Sequence, residues 1–168
     1  LITVLQKGDP RYADQDRAAR RLPPVDNATL EQLDLIILSD CDPNGLGSVL
    51  QARIVDLVTR GGTSLVVITG PNHLPQDLAG TPLERILPVD PASVINPQVT
   101  QRPLSWSLST LGMSVPSLQL DQPNSGWTDE PPFYWLARTK SVRPGGRILL
   151  EASINSTGEM APVVISQL

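Results

Sequence analysis

Hydrophobic residues along this chain come in short, dense runs separated by polar clusters, and the clearest alternation of the two lies between Asp34 and Leu74. Asp34-Leu35-Ile36-Ile37-Leu38 is a continuous apolar run, as expected of a strand buried on both faces in a parallel sheet covered by helices. It stops at Ser39-Asp40-Cys41-Asp42-Pro43-Asn44-Gly45, which is rich in turn-forming residues. From Leu46 to Arg60 the apolar positions Leu46, Val49, Leu50, Ile54, Leu57 and Val58 predict one stripe on a helix. Gly61-Gly62 suits its C-terminus, because glycine takes the left-handed cap without steric cost. Ser64-Leu65-Val66-Val67-Ile68-Thr69 predicts a second buried strand, ended by Gly70-Pro71-Asn72. The unit is β-α-β, and in such sheets ligands gather beyond the carboxyl ends of the strands.

The flanking segments follow the same reading. Leu1 to Gln6 predicts a first strand, Tyr12 to Leu22 a short helix, and Asn27 to Leu33 a connection or single helical turn. The helix would carry Arg17, Arg20 and Arg21, read as a solvated face. Thr81-Pro82-Leu83-Glu84 is a capping-box pattern that predicts a short helix over Pro82 to Leu87. Between Pro88 and Pro132 recurrent prolines exclude long regular helices, yet Trp106 and Trp127 fall there and Phe133, Tyr134 and Trp135 follow directly. Aromatics argue against a disordered linker, so this predicts an irregular packed insertion with a small core of its own. Pro144-Gly145-Gly146 and Asn155 to Glu159 are turns around Arg147 to Ala152 and Met160 to Leu168, which predicts a C-terminal antiparallel hairpin.

Composition narrows the function classes. A chain of 168 residues is expected to form one domain with a substantial core. A net charge of −4 argues against a general nucleic-acid binder. The single cysteine cannot form an internal disulfide. No run approaches the length of a membrane span, so this part of the protein is not expected to be membrane-inserted. The sequence starts and stops on strand-like runs, as expected of a domain cut from a longer protein.

Candidate chemistry collects at the two strand ends. Cys41 and His73 are the only candidate nucleophile and base, and a Cys–His dyad is geometrically conceivable if the strands are neighbours; a lone histidine near a turn is more often structural and a lone cysteine after a strand more often a small buried hydrophobe. Asp40 and Asp42 flank Cys41, and their charge opposes the thiolate. Asp40, Asp42 and Asn44 alternate like oxygen ligands of a hard metal, but the glycine and closing glutamate of a calcium loop are absent. Asp42 as helix N-cap before Pro43 accounts for them more simply, and no metal is expected. Neither a dinucleotide fingerprint nor a P-loop is present, so no cofactor is expected.

The order of strand, helix, Gly-Gly, strand and tight glycine turn resembles the class I glutamine amidotransferase-like superfamily, most closely a subgroup found in large membrane-anchored bacterial proteins, often beside von Willebrand factor A-like regions. The resemblance rests on Val4 to Tyr12, Asp34 to Asp40, Arg60-Gly61-Gly62, Val66 to Pro71, Thr81-Pro82-Leu83, Leu87-Pro88-Val89, Pro144 to Arg147 and Pro162-Val163-Val164. It implies a flavodoxin-like three-layer α/β sandwich with a mostly parallel sheet over 1–88, the Pro/Trp-rich insertion over 89–143 and C-terminal strands over 144–168. It also implies a parent protein anchored in the bacterial inner membrane, whose other domains or protein partners this domain would bind. Active members place a nucleophilic cysteine in the elbow after the strand equivalent to Leu65 to Thr69. Here the elbow reads Thr69-Gly70-Pro71-Asn72-His73, and no histidine follows position 73 for the usual His-x-Glu pair. No triad member can be carried over. The resemblance therefore implies a non-hydrolytic binding module, with Lys7, Asp9, Arg11, Asp40, Asp42, Asn72 and His73 at its ligand or partner edge. The alternative is a Cys/His-dependent amidotransferase or hydrolase using Cys41 and His73.

Overall fold

A computed structural model of the chain describes residues 3–6, 11, 19–21, 27–95, 103–119, 133–154 and 158–168. The chain divides into two compact units, Leu1–Leu83 and Glu84–Leu168.

In the first unit β1 (Thr3–Leu5) pairs in parallel with β2 (Ala19–Arg21). The helix expected over Tyr12 to Leu22 is thus corrected at its C-terminal end: strand pairing overrides a helix-compatible sequence at Ala19–Arg21, and residues 12–18 lie outside the described part. A single turn, α1 (Asn27–Leu30), precedes β3 (Leu35–Ser39), which runs parallel to β4 (Ser64–Ile68) in the register Ile37 to Val66. The helix joining them, α2 (Pro43–Asp56), continues as a π turn over Leu57–Gly61. Gly62 closes it in the left-handed conformation at φ 78°, donating its N–H to Leu57.

The buried face of α2 differs from the expected stripe. Gly47 breaks the helical backbone at φ 73° and ψ 153°, which resets the helical phase. Val49 is consequently 84% exposed, whereas Ile54 and Leu57 of the expected stripe are buried, joined by Gln51 and Val55. Gln51 Nε2 donates to the Pro43 carbonyl at 2.7 Å and stitches the displaced first turn to the rest of the helix.

A second correction concerns β3 and β4. Residues paired in a parallel register point to the same side. Leu35, Ile37, Val66 and Ile68 on one side are 46, 53, 42 and 49% exposed, whereas Leu38 on the other is buried. One β-α-β crossover puts its helix on a single side of the strands, so only that face gains cover. The core of this unit is instead completed by the segment after β4, where Leu74, Leu78 and Leu83 are fully buried.

In the second unit, Pro82–Ile86 across the boundary is a 3₁₀ helix, and another spans Pro91–Ser93. Arg143 holds the start of this unit: its guanidinium donates to the Glu84 carbonyl at 2.6 Å and carboxylate at 3.0 Å, and its amide to Pro88 at 2.7 Å. β5 (Val94–Ile95) is antiparallel to β7 (Arg138–Thr139). β6 (Trp106–Leu108) joins β8 (Arg147–Ser153) and β9 (Met160–Ser166) in an antiparallel sheet, so the expected C-terminal hairpin is present and takes a strand from the Pro/Trp-rich region. Pro162, which has no N–H, sits on an edge strand of that sheet, where proline is tolerated. Trp106 and Phe133 pack with ring centroids 5.2 Å apart, beside buried Leu104. Ser109 and Gly112 clamp onto β8, with Ser109 Oγ donating to the Ile148 carbonyl at 2.6 Å.

The architecture is therefore mixed α/β. Among the described residues the strands form four small sheets, two parallel and two antiparallel, in place of the single mostly parallel sheet that was expected. Strands of two to seven residues and the antiparallel pairing of the second half account for the difference.

Candidate functional site

The carboxyl ends of β1, β3 and β4 lie within the first unit, and two side chains tie them together. Gln6, just after β1, makes a two-pronged contact with the Asp42 backbone: its Nε2 donates to the carbonyl and its Oε1 accepts the amide, each at 2.6 Å. Asp42 in turn caps α2 through its carboxylate, which accepts the Asn44 amide at 2.9 Å, with Pro43 following. The expected cap is therefore present.

Asp40 is the hub of the edge. It sits at φ 38°, a conformation that aspartate tolerates better than most residues, and its amide donates to Ile68 at the end of β4 at 3.0 Å. Its carboxylate accepts the backbone amides of Asn72 (3.1 Å), His73 (2.8 Å) and Leu74 (3.1 Å) and the Asn72 side chain (2.7 Å). Partial burial would raise its pKa, but these hydrogen bonds outweigh burial and hold the carboxyl below its ordinary value. Gly70 is required beside it: a Cβ there would lie 2.1 Å from Asp40 Cγ.

Cys41 is half-buried and carries no disulfide. Burial pushes its thiol up; its own backbone hydrogen bond acts the other way, and the negative charges of Asp40 and Asp42 add to the rise. At neutral pH the group is a thiol, which is a poor nucleophile. His73 directs Nδ1 to Asp77 Oδ2 at 2.8 Å, one helical turn along the chain.

Of the expected edge residues, the structure gathers Asp40, Asn72 and His73 through direct hydrogen bonds, with Cys41 and Asp42 adjoining them in the chain. Arg11 is exposed, and Lys7 and Asp9 lie outside the described residues. Sequence reasoning missed Gln6 and Asp77. The i,i+4 spacing of His73 and Asp77 was a usable signal, whereas Gln6 meets Asp42 across 36 positions and left none. Among the described residues no group of three or more His, Cys, Asp or Glu is placed to hold a metal ion. No helix among them is long and apolar enough to cross a membrane.

Comparison with known proteins gives no matching family model and no matching curated relative.

Proposed function

We propose that the chain is a glutamine amidotransferase-like domain of flavodoxin-like type that no longer performs hydrolysis. It serves as a ligand- or protein-binding module of a larger, membrane-anchored bacterial protein. The observation that carries this reading is the engagement of Asp40: its carboxylate is spent on four hydrogen bonds that shape the 72–74 loop, beside a cysteine kept protonated. Two parallel strand pairs, with the ends of β1 and β3 clipped together by Gln6 and Asp42, support the doubly wound sheet. The resulting edge offers Asp42, Asn72 and His73 to an occupant. Other domains of the parent chain are the occupants that this reading favours.

One observation favours the second reading, a Cys/His-dependent amidotransferase or hydrolase. Asp77 holds the His73 imidazole as the third member of a triad holds its base.

The two readings part in the pH dependence of Cys41 alkylation by a small reagent. The binding-module reading expects a midpoint at or above the free-thiol value of about 8.5, unchanged in His73→Ala. A midpoint well below it, lost in His73→Ala, overturns that reading and makes glutamine and ester substrates the next assay.

A further inference from the structure

The second unit carries an open cavity of about 500 Å³ that has no part in the edge just described. This lies within the roughly 300–1,000 Å³ of small-molecule sites. It sits between the β5–β7 pair and the β8–β9 hairpin, and its chemistry is divided. Ile95, Val142, Ile148 and Ile154 supply apolar wall, and none of the four is fully buried, so an apolar occupant would remove their surface from water. Arg138, Lys140 and Glu159 supply the charged part. Arg138 is already matched, its guanidinium donating to Glu159 at 3.2 Å across the gap between β7 and the start of β9. Lys140, exposed and next to β7, makes no ion pair among the described residues. Among the described residues the lining therefore presents a branched aliphatic wall with one uncompensated positive charge.

We propose that this cavity binds a small aliphatic carboxylate, its chain against Ile95, Val142, Ile148 and Ile154 and its head at Lys140. One unmatched cation among the described residues fits a monoanion. A dianionic phosphate head would call for further donors, and the remaining guanidinium is held by Glu159. An aliphatic carboxylate could arrive free in solution or as part of a lipid surface, and the test separates these sources.

The test is an amide-resolved NMR titration of the full chain with decanoate below its micelle-forming concentration, alongside decanol and phosphatidylserine vesicles. Saturable shifts are expected at Thr139, Lys140, Ser141, Val142, Ile148 and Ile154, with decanoate binding about threefold tighter than decanol, the increment of one exposed charge pair. Lys140→Met should bring decanoate down to the decanol level and leave decanol unchanged. Glu159→Gln, which releases Arg138, should tighten decanoate by a similar factor. Ile95→Trp narrows the cavity from a half-exposed strand position that suits an aromatic residue, and should weaken binding of both with the rest of the spectrum intact. The proposal is overturned if decanoate gives no saturable shifts at these residues, if the affinity for both ligands is unchanged in Ile95→Trp, if Lys140→Met weakens both ligands alike, or if only vesicles bind.

Discussion

Replacing Asp40 tests the organisation of the candidate edge most directly. Asp40→Ala removes the acceptor of four hydrogen bonds, but their loss is unequal. The two Asn72 donors are exposed and can turn to water. The His73 and Leu74 amides are partly buried, and each orphaned donor costs about 1 kcal/mol. Alanine at φ 38° adds up to about 1 kcal/mol of backbone strain, so the expected destabilisation is about 2–3 kcal/mol. Asp40→Gly tolerates that φ and isolates the hydrogen-bond share at about 2 kcal/mol. Asp40→Asn keeps one carbonyl oxygen but sets its NH₂ against the Asn72 donors, for a loss of about 1 kcal/mol. Because the folded carboxyl titrates below its ordinary value, its stabilisation is complete above the unfolded pKa of about 3.9. It disappears as pH falls through the folded value. The two compact units need not unfold together, so the assay is residue-resolved amide exchange at His73 and Leu74, with urea unfolding by circular dichroism beside it. Equal protection of these amides in Asp40→Ala and the parent at neutral pH refutes the account. So does a stability gap to Asp40→Asn that fails to shrink in acid.

Three further substitutions probe other joints. Gln6→Leu deletes both bonds to the Asp42 backbone and should cost about 1–2 kcal/mol, with faster amide exchange at Asp42 and in the first turn of α2. Gly112→Ala would put a Cβ 2.0 Å from the Leu149 carbonyl oxygen, forcing β8 to move; a loss of about 2–3 kcal/mol should register in thermal unfolding followed by tryptophan fluorescence. Arg143→Met breaks a partly exposed two-pronged contact with Glu84, for about 1 kcal/mol in urea unfolding; Arg143→Lys should not restore it, because an ammonium lacks the planar fork.

What the sequence disclosed depended on the range of the interaction responsible. Strands β3, β4, β8 and β9 were readable because each is an apolar run bounded by turn residues, and the cap at Asp42 is a contact between neighbours in the chain. The buried face of α2 was read correctly at Ile54 and Leu57 but not at Val49, because periodicity assumes unbroken helical phase and the positive φ of Gly47 interrupts it. At Ala19–Arg21, pairing with β1 outweighed local preference for helix, a tertiary effect that composition does not carry. The site followed the same rule. Cys41 and His73 were visible as residue types, but the bond from Asp40 to the His73 amide spans 33 positions and turns an apparent ligand carboxylate into a loop-holding group. Even the pairing of β5 with β7, two strands of two residues each, depends on partners more than forty positions apart that no local pattern links.

The uncovered side chains of Leu35, Ile37, Val66 and Ile68 give the folded chain an optical property usually taken as a sign of partial unfolding. Dyes that brighten on apolar surface are read as reporters of molten states. On this protein such a dye meets a ready-made hydrophobic strip on well-paired strands, so the native baseline should start bright. Unfolding disperses the strip, and the signal should then fall with denaturant. A dimming curve would trace the loss of native β3–β4 pairing, and a bright sample would be no ground for judging a preparation misfolded.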